Sequence, residues 1–143
     1  MKMVNLFVAN DGEARALTGE NNLIMAARRL RAMGPRMIVI KKGEHGALLF
    51  YEDRIFAAPA MPLEDVFDPT GAGDTFAGGF IGYLARIKST TFESMKAAII
   101  MGSALASFCV EKFGPERMKE ITAADIDARV KEFVALANFE IRG

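Results

Sequence analysis

The sequence has one cysteine, one histidine, no tryptophan and no net charge: 18 basic residues balance 18 acidic ones. With Cys109 alone, neither an internal disulfide nor a cysteine zinc site can form within the chain. His45 has no second His, Cys or acid at ligand spacing, so it reads as an exposed turn residue rather than a metal ligand. Balanced charge gives no field to draw the chain to nucleic acid or to an anionic membrane, and neither is expected as a partner. The apolar runs fall short of the roughly 20 residues that span a bilayer, so no transmembrane helix is expected. The opening MKMVNLFVANDGEA lacks the long apolar stretch of a secretory signal. A reducing cytoplasm is the expected compartment. Two phosphate-binding fingerprints are also missing: there is no Gly-Lys-Ser or Gly-Lys-Thr loop and no Gly-x-Gly-x-x-Gly.

What remains is an ordinary globular composition, 51% hydrophobic and 25% charged, in 143 residues, the size of one domain with its own core. Val4 to Ala9 is an apolar run that predicts a buried strand. Asn10 to Thr18 predicts a loop and short helix ended by Gly19. Asn21 or Asn22 caps a second helix with Leu23, Ala26, Ala27 and Leu30 on one face, stopped by Gly34-Pro35. Met37 to Ile40 predicts a strand, and Ala47 to Tyr51 and Arg54 to Ala58 two more around the turn Glu52-Asp53. From Asp74 the spacing is helical, with Phe76, Ala77, Phe80, Ile81 and Leu84 on one side. Gly78, Gly79 and Gly82 are expected to bring that helix close to its neighbours, against a propensity cost of about 1 kcal/mol each. A long helix is expected from Phe92 to Glu111. The last opens on a capping box at Thr122 to Asp125 and turns Ile126, Val130, Phe133 and Ala137 inward. Intermingled strands and helices predict an α/β fold, with helices covering a sheet.

The most informative stretch is Asp68-Pro-Thr-Gly-Ala-Gly-Asp-Thr-Phe-Ala-Gly-Gly-Phe80. Small residues at Gly71, Ala72 and Gly73 let backbone approach a ligand closely. A helix starts directly after them, and a helix start offers uncommitted N–H groups and the positive end of a dipole to an anion. Asp74 lies in the first turn beside that site. Phosphoryl transfer uses such a pair, a cradle for negative charge and a carboxylate that takes a proton from the attacking hydroxyl. The plainer alternative is a tight turn with Asp74 as a capping acid.

This stretch resembles, almost residue for residue, the C-terminal motif of the ribokinase-like (PfkB-family) sugar kinases. The resemblance implies a three-layer Rossmann-type sheet flanked by helices, of which this chain is the C-terminal portion. It implies Asp74 as the general base, an anion hole from the amides of Gly71, Ala72 and Gly73, and a monovalent-cation (K⁺) site at Asp68 and Thr70. Asn10-Asp-Gly-Glu13 is similar to the family's Asn-x-x-Glu motif, which implies that Asn10 and Glu13 help hold Mg²⁺ through water near the ATP phosphates. Mg²⁺ keeps several waters and needs few protein oxygens, so two such side chains suffice. The alternative is a solvated helix start. Lys41, Gly43 and Gly46 occupy the place of the family's Thr-x-Gly-x-x-Gly. Lys41 could neutralise nucleotide phosphate or simply end a strand in solvent. Ser103, Ser107 and Val110 fall on the helix that flanks adenine in the family, or serve helix packing. Gly114 matches the loop beyond it.

Family members run to roughly twice this length. The expected organisation is therefore a single nucleotide-binding and catalytic part, residues 1–143, without the substrate-binding part and lid. The function implied is ATP-dependent phosphorylation of an alcohol on a sugar or nucleoside, with the chain inactive alone. The competing reading is a non-catalytic nucleotide-binding or assembly module derived from such a kinase. An incomplete sheet and nine Met with eleven Phe predict self-association.

Overall fold

A computed structural model describes residues 5–62, 71–110 and 120–141. The sequence shows no linker, yet the fold divides into two compact units, Met1–Ala58 and Pro59–Gly143.

The first unit is a four-stranded mixed sheet in the order β1-β2-β3-β4, with helices α1 and α2 packed on it. Strand β1 (Leu6–Asn10) runs parallel to β2 (Met37–Lys41), and α1 (Asp11–Thr18) and α2 (Leu23–Ala32) form the crossover between them. Gly19 ends α1 in the left-handed conformation that glycine adopts without penalty, its N–H bonded to the Arg15 carbonyl at 2.8 Å. Of the two candidate caps for α2, Asn22 is the one used: its side chain accepts from the N–H of Ile24 and Met25. The face expected for α2 is the buried one. Ala26, Ala27 and Leu30 join Ala14, Ile38, Ile40 and Phe50 in one apolar cluster. Each large side chain buried there stabilises the unit by about 1.5–3 kcal/mol relative to exposure.

Strand β2 lies between two neighbours and is buried from Met37 through Ile40. Strand β1 departs from expectation. It is an edge strand among the described residues, with Val8 38% exposed, because hydrogen-bonded strands flank it on one side only. Val4, where it was expected to begin, lies outside the described residues. Strands β3 (Ala47–Tyr51) and β4 (Arg54–Ala58) form the expected antiparallel hairpin. In its turn Glu52 takes a φ of 56°, uncommon outside glycine. The Arg31 guanidinium donates to the Glu52 carbonyl, and Arg36 pairs with the Glu52 carboxylate at 2.7 Å.

The second unit contains α3 (Ala72–Ile87), α4 (Phe92–Cys109) and α5 (Ala123–Ala137). Helix α4 is long and apolar enough, by length and composition alone, to cross a membrane, contrary to the sequence expectation. Its buried residues include Met95, Ile99 and Phe108, and it packs against both α3 and α5, as a core helix does. The expected end at Glu111 lies outside the described residues.

Of the three glycines expected to give α3 close packing, only Gly79 does so. A Cβ there would meet Leu105 and, at 3.1 Å, the Gly102 backbone, whereas Gly78 and Gly82 face open space. Ile81 is 61% exposed rather than inward, and Ala137 on α5 is exposed too. In both helices the buried stripe is narrower than the apolar one: Phe76 and Phe80 carry it on α3, Phe133 on α5. The capping box of α5 forms as expected, with Thr122 and Asp125 bonded reciprocally.

Helix α5 is tied to α4 by Arg129. Its guanidinium donates to the Ser107 hydroxyl at 2.6 Å and lies 4.1 Å above the Phe108 ring. Arg129→Ala should lower stability by about 2 kcal/mol, from the lost charge-assisted bond and ring contact. Urea denaturation of the chain measures this, and an unchanged midpoint would mean that α5 is held by its apolar contacts alone.

Candidate functional site

The glycine stretch folds as a left-handed cap and a helix start. Gly71 is the N-cap of α3 with φ 85° and ψ −8°, a conformation that disfavours any side chain with a Cβ. Its carbonyl is doubly engaged, accepting from the N–H and from the hydroxyl of Thr75, both at 2.9 Å. Thr75 is the first residue to donate into the helical ladder. The N–H groups of Ala72, Gly73 and Asp74 stand before it, without a side-chain cap. Of the expected Gly71, Ala72 and Gly73, Gly71 forms the turn, and the amides of Ala72, Gly73 and Asp74 stand at the helix start. Asp74 is the third helical residue and exposed, and its carboxylate makes no hydrogen bond or ion pair among the described residues. This turn presents donors for an anion and an uncommitted carboxylate beside them.

In the first unit, Asn10 ends β1 and caps α1. Its Oδ1 accepts from the Glu13 N–H at 2.7 Å, and Glu13 Oε1 accepts from the Asn10 N–H at 3.0 Å. The Asn-x-x-Glu motif is thus a reciprocal capping box, which engages one side-chain oxygen of each residue and leaves both residues exposed. The register pairs Asn10 with Lys41, so Asn10, Glu13 and Lys41 gather where the parallel strands β1 and β2 end at their carboxyl termini. Ligands of open α/β sheets bind at that edge. Lys41 is half-buried; it also pairs with Ala47 across the hairpin. Gly43 and Gly46 bracket the 3₁₀ turn between β2 and β3 with φ of 56° and 88°, so both glycines are required by the backbone. His45 in that turn is exposed, as expected, and lies 3.5 Å from Glu44.

Ser107 is buried, and its hydroxyl donates to the Ala104 carbonyl while accepting from Arg129, which engages it in helix packing. Ser103 is half-buried one turn earlier on α4, and Val110 is the C-cap of that helix. Asp68, Thr70 and Gly114 lie outside the described residues. Among the described residues no group of three or more His, Cys, Asp or Glu side chains assembles to hold a metal directly. Gly102 and Cys109, which helical spacing puts on one face of the long helix, lie beneath α3 and beneath its cap, a placement that the sequence reading did not foresee. A Cβ on Gly71 would be 3.8 Å from the Cys109 Sγ. For Gly102 a signal existed, since glycine in mid-helix is unfavourable and needs a packing reason.

The mixed sheet flanked by helices is of the α/β class, and likeness to known proteins specifies the family. Residues 1–122 match the model of the pfkB family of carbohydrate kinases, and the chain belongs to that family. It is 40% identical over 85 residues to the cytidine kinase of Thermococcus kodakarensis, covering 58% of this chain and 30% of that protein. It is 35% identical over 111 residues to a nucleoside kinase of Methanothermobacter thermautotrophicus, covering 78% of this chain and 32% of that one. The aminoimidazole riboside kinase of Salmonella enterica, solved with aminoimidazole riboside and an ATP analogue, superposes with a TM-score of 0.77 at 27% identity. That match covers 90% of this chain and 43% of the enzyme. The chain thus spans about a third of the length of the curated relatives it matches.

Proposed function

We propose that this chain is the ATP-binding and base-bearing part of a kinase that transfers the γ-phosphoryl group of ATP to an alcohol of a sugar or nucleoside. The observation that carries this reading is the first turn of α3: exposed Asp74 beside three amides that precede the helical ladder, behind a left-handed Gly71. Asp74 takes the proton of the acceptor hydroxyl as that oxygen bonds to the transferred phosphoryl group. The amides of Ala72, Gly73 and Asp74 hold the negative charge that develops there. ATP would supply the phosphoryl group, its bond to the departing ADP oxygen breaking as the new one forms, and Mg²⁺ would neutralise the phosphates. Asn10 and Glu13 would hold the ion through water with the oxygen lone pairs that the capping box leaves over, and Lys41 would add positive charge at the same strand ends. Membership of a kinase family and relatives named for nucleosides support the class. The test is ADP formation stimulated by a nucleoside or sugar alcohol in the completed enzyme and lost on substitution of Asp74.

The span of about a third of its relatives favours one competing reading, a nucleotide-binding module without an acceptor site of its own. ADP formation that no alcohol stimulates, even in the completed enzyme, would select it.

Glu13→Gln tests the Mg²⁺ role apart from the cap. Glutamine keeps an oxygen to accept the Asn10 N–H, so the box and the stability survive while the charge is lost. The Mg²⁺ concentration needed for half-maximal ATP binding should rise several-fold, read by calorimetric titration at fixed nucleotide. An unchanged Mg²⁺ dependence would leave Glu13 a capping residue only.

A further inference from the structure

We infer that Gly102 of α4 is a positioning residue for the Gly71–Asp74 turn, resting on the reading of that turn as the phosphate cradle. A methyl group at 102 would stand 2.7 Å from the Phe76 carbonyl oxygen and 3.0 and 3.2 Å from two carbons of the Phe76 ring. The carbonyl is backbone and cannot rotate aside. The ring is no easier to move, since Phe76 is 5% exposed and stacks on Phe80 with centroids 5.8 Å apart. Phe76 lies two residues after Asp74, about 3 Å along the helix axis. What moves Phe76 therefore moves the catalytic turn.

The contact at Gly102 is the rigid part of the α3–α4 crossing. From the other side, a Cβ on Gly79 would meet Leu105 Cδ1 at 2.6 Å, the end of a flexible side chain, and the Gly102 Cα at 3.1 Å. Three residues further on, Gly82 meets nothing within 4 Å. Two turns beyond Gly102 on α4, Cys109 lies under the Gly71 cap. Helix α4 is thus a bed that touches the turn from below at one end and fixes its helix at the other. Alanine at 102 must lift α3 by roughly 0.5–1 Å to restore ordinary contact. Displacements of about 1 Å at a site that positions reacting groups are worth up to 100-fold.

The test uses the full chain with Gly102→Ala, and Gly82→Ala as the comparator that alters the same helix without a clash. Calorimetry reads Mg·ATP affinity, and amide resonances of Ala72, Gly73 and Asp74 in the ligand-free chain read the turn itself. Gly102→Ala should keep its far-ultraviolet circular dichroism, shift those three resonances and bind Mg·ATP at least 10-fold more weakly. Gly82→Ala should leave both readings as they are. If Gly102→Ala does not fold, Gly79→Ala opens the same crossing by less and should shift the same amides with a few-fold loss of affinity. Unmoved amides in either folded crossing variant, or an equal loss in Gly82→Ala, would overturn the assignment. Absence of Mg·ATP binding by the unsubstituted chain would refute the nucleotide reading, and the ligand-free amide shifts would still decide whether Gly102 positions the turn.

Discussion

Asp74→Asn is expected to lower acceptor-dependent phosphoryl transfer by about 10²–10⁴-fold, the range for removal of a general base. The amide is nearly isosteric with the carboxylate but cannot take a proton. As the third residue of α3, Asp74 also faces the positive end of a helix dipole, an interaction worth about 0.3–1 kcal/mol at an exposed site. A residue that only stabilises the helix start would therefore shift Tm slightly and leave turnover alone. A suitable assay places this chain in the corresponding portion of the 35%-identical nucleoside kinase and couples ADP formation to a nucleoside acceptor. Near-normal kcat in the Asn variant would remove Asp74 from the chemistry and leave it as a capping acid.

The second large effect concerns the 143-residue chain by itself. It carries the α3 turn with Asp74 and the Asn10–Glu13 box, but spans about a third of its curated relatives. What orients an acceptor hydroxyl is proposed to lie in the remainder. Orientation contributes about 7–11 kcal/mol to such reactions, equivalent to roughly 10⁵–10⁸ in rate. The isolated chain should bind Mg·ATP, hydrolyse it slowly at most, and phosphorylate no sugar or nucleoside efficiently. It should also self-associate. Strand β1 is an edge among the described strands, with neither charge nor proline in Leu6–Asn10 to blunt it. Light scattering should give a mass that rises with concentration. A monomer at high concentration would contradict the association, and saturable phosphorylation by this chain alone would contradict the activity claim.

What could be read from sequence was what local chemistry decides. Asn22, the Thr122–Asp125 box and the Glu52-Asp53 turn depend on residues a few positions apart, and each formed as expected. The Gly71–Asp74 motif was legible for the same reason, since a cap and a helix start need only their own dihedrals. Asn10 and Glu13 were legible as a pair, and their reciprocal bonds join residues three apart, but the register that sets Lys41 beside Asn10 comes from strand pairing over 31 residues. Packing between helices was the least legible. Three glycines on α3 look alike in sequence, and only the approach of Gly102 distinguishes Gly79 from Gly78 and Gly82. Apolar spacing likewise put Ile81 and Ala137 inward, because periodicity gives the direction of a face but not how far its neighbour extends. The open side of β1 was hidden in Leu6 to Ala9, a run as apolar as a central strand.

The proposed phosphate site is the first turn of α3. The direct measurement is a titration of the 143-residue chain with Mg·ATP, followed at every assigned backbone amide by ¹H–¹⁵N correlation spectra. Saturable shifts are expected at Ala72, Gly73 and Asp74 of the second unit and, in the first unit, at Asn10 to Glu13. Shifts confined to other residues, with Ala72, Gly73 and Asp74 unmoved at saturating nucleotide, would refute it.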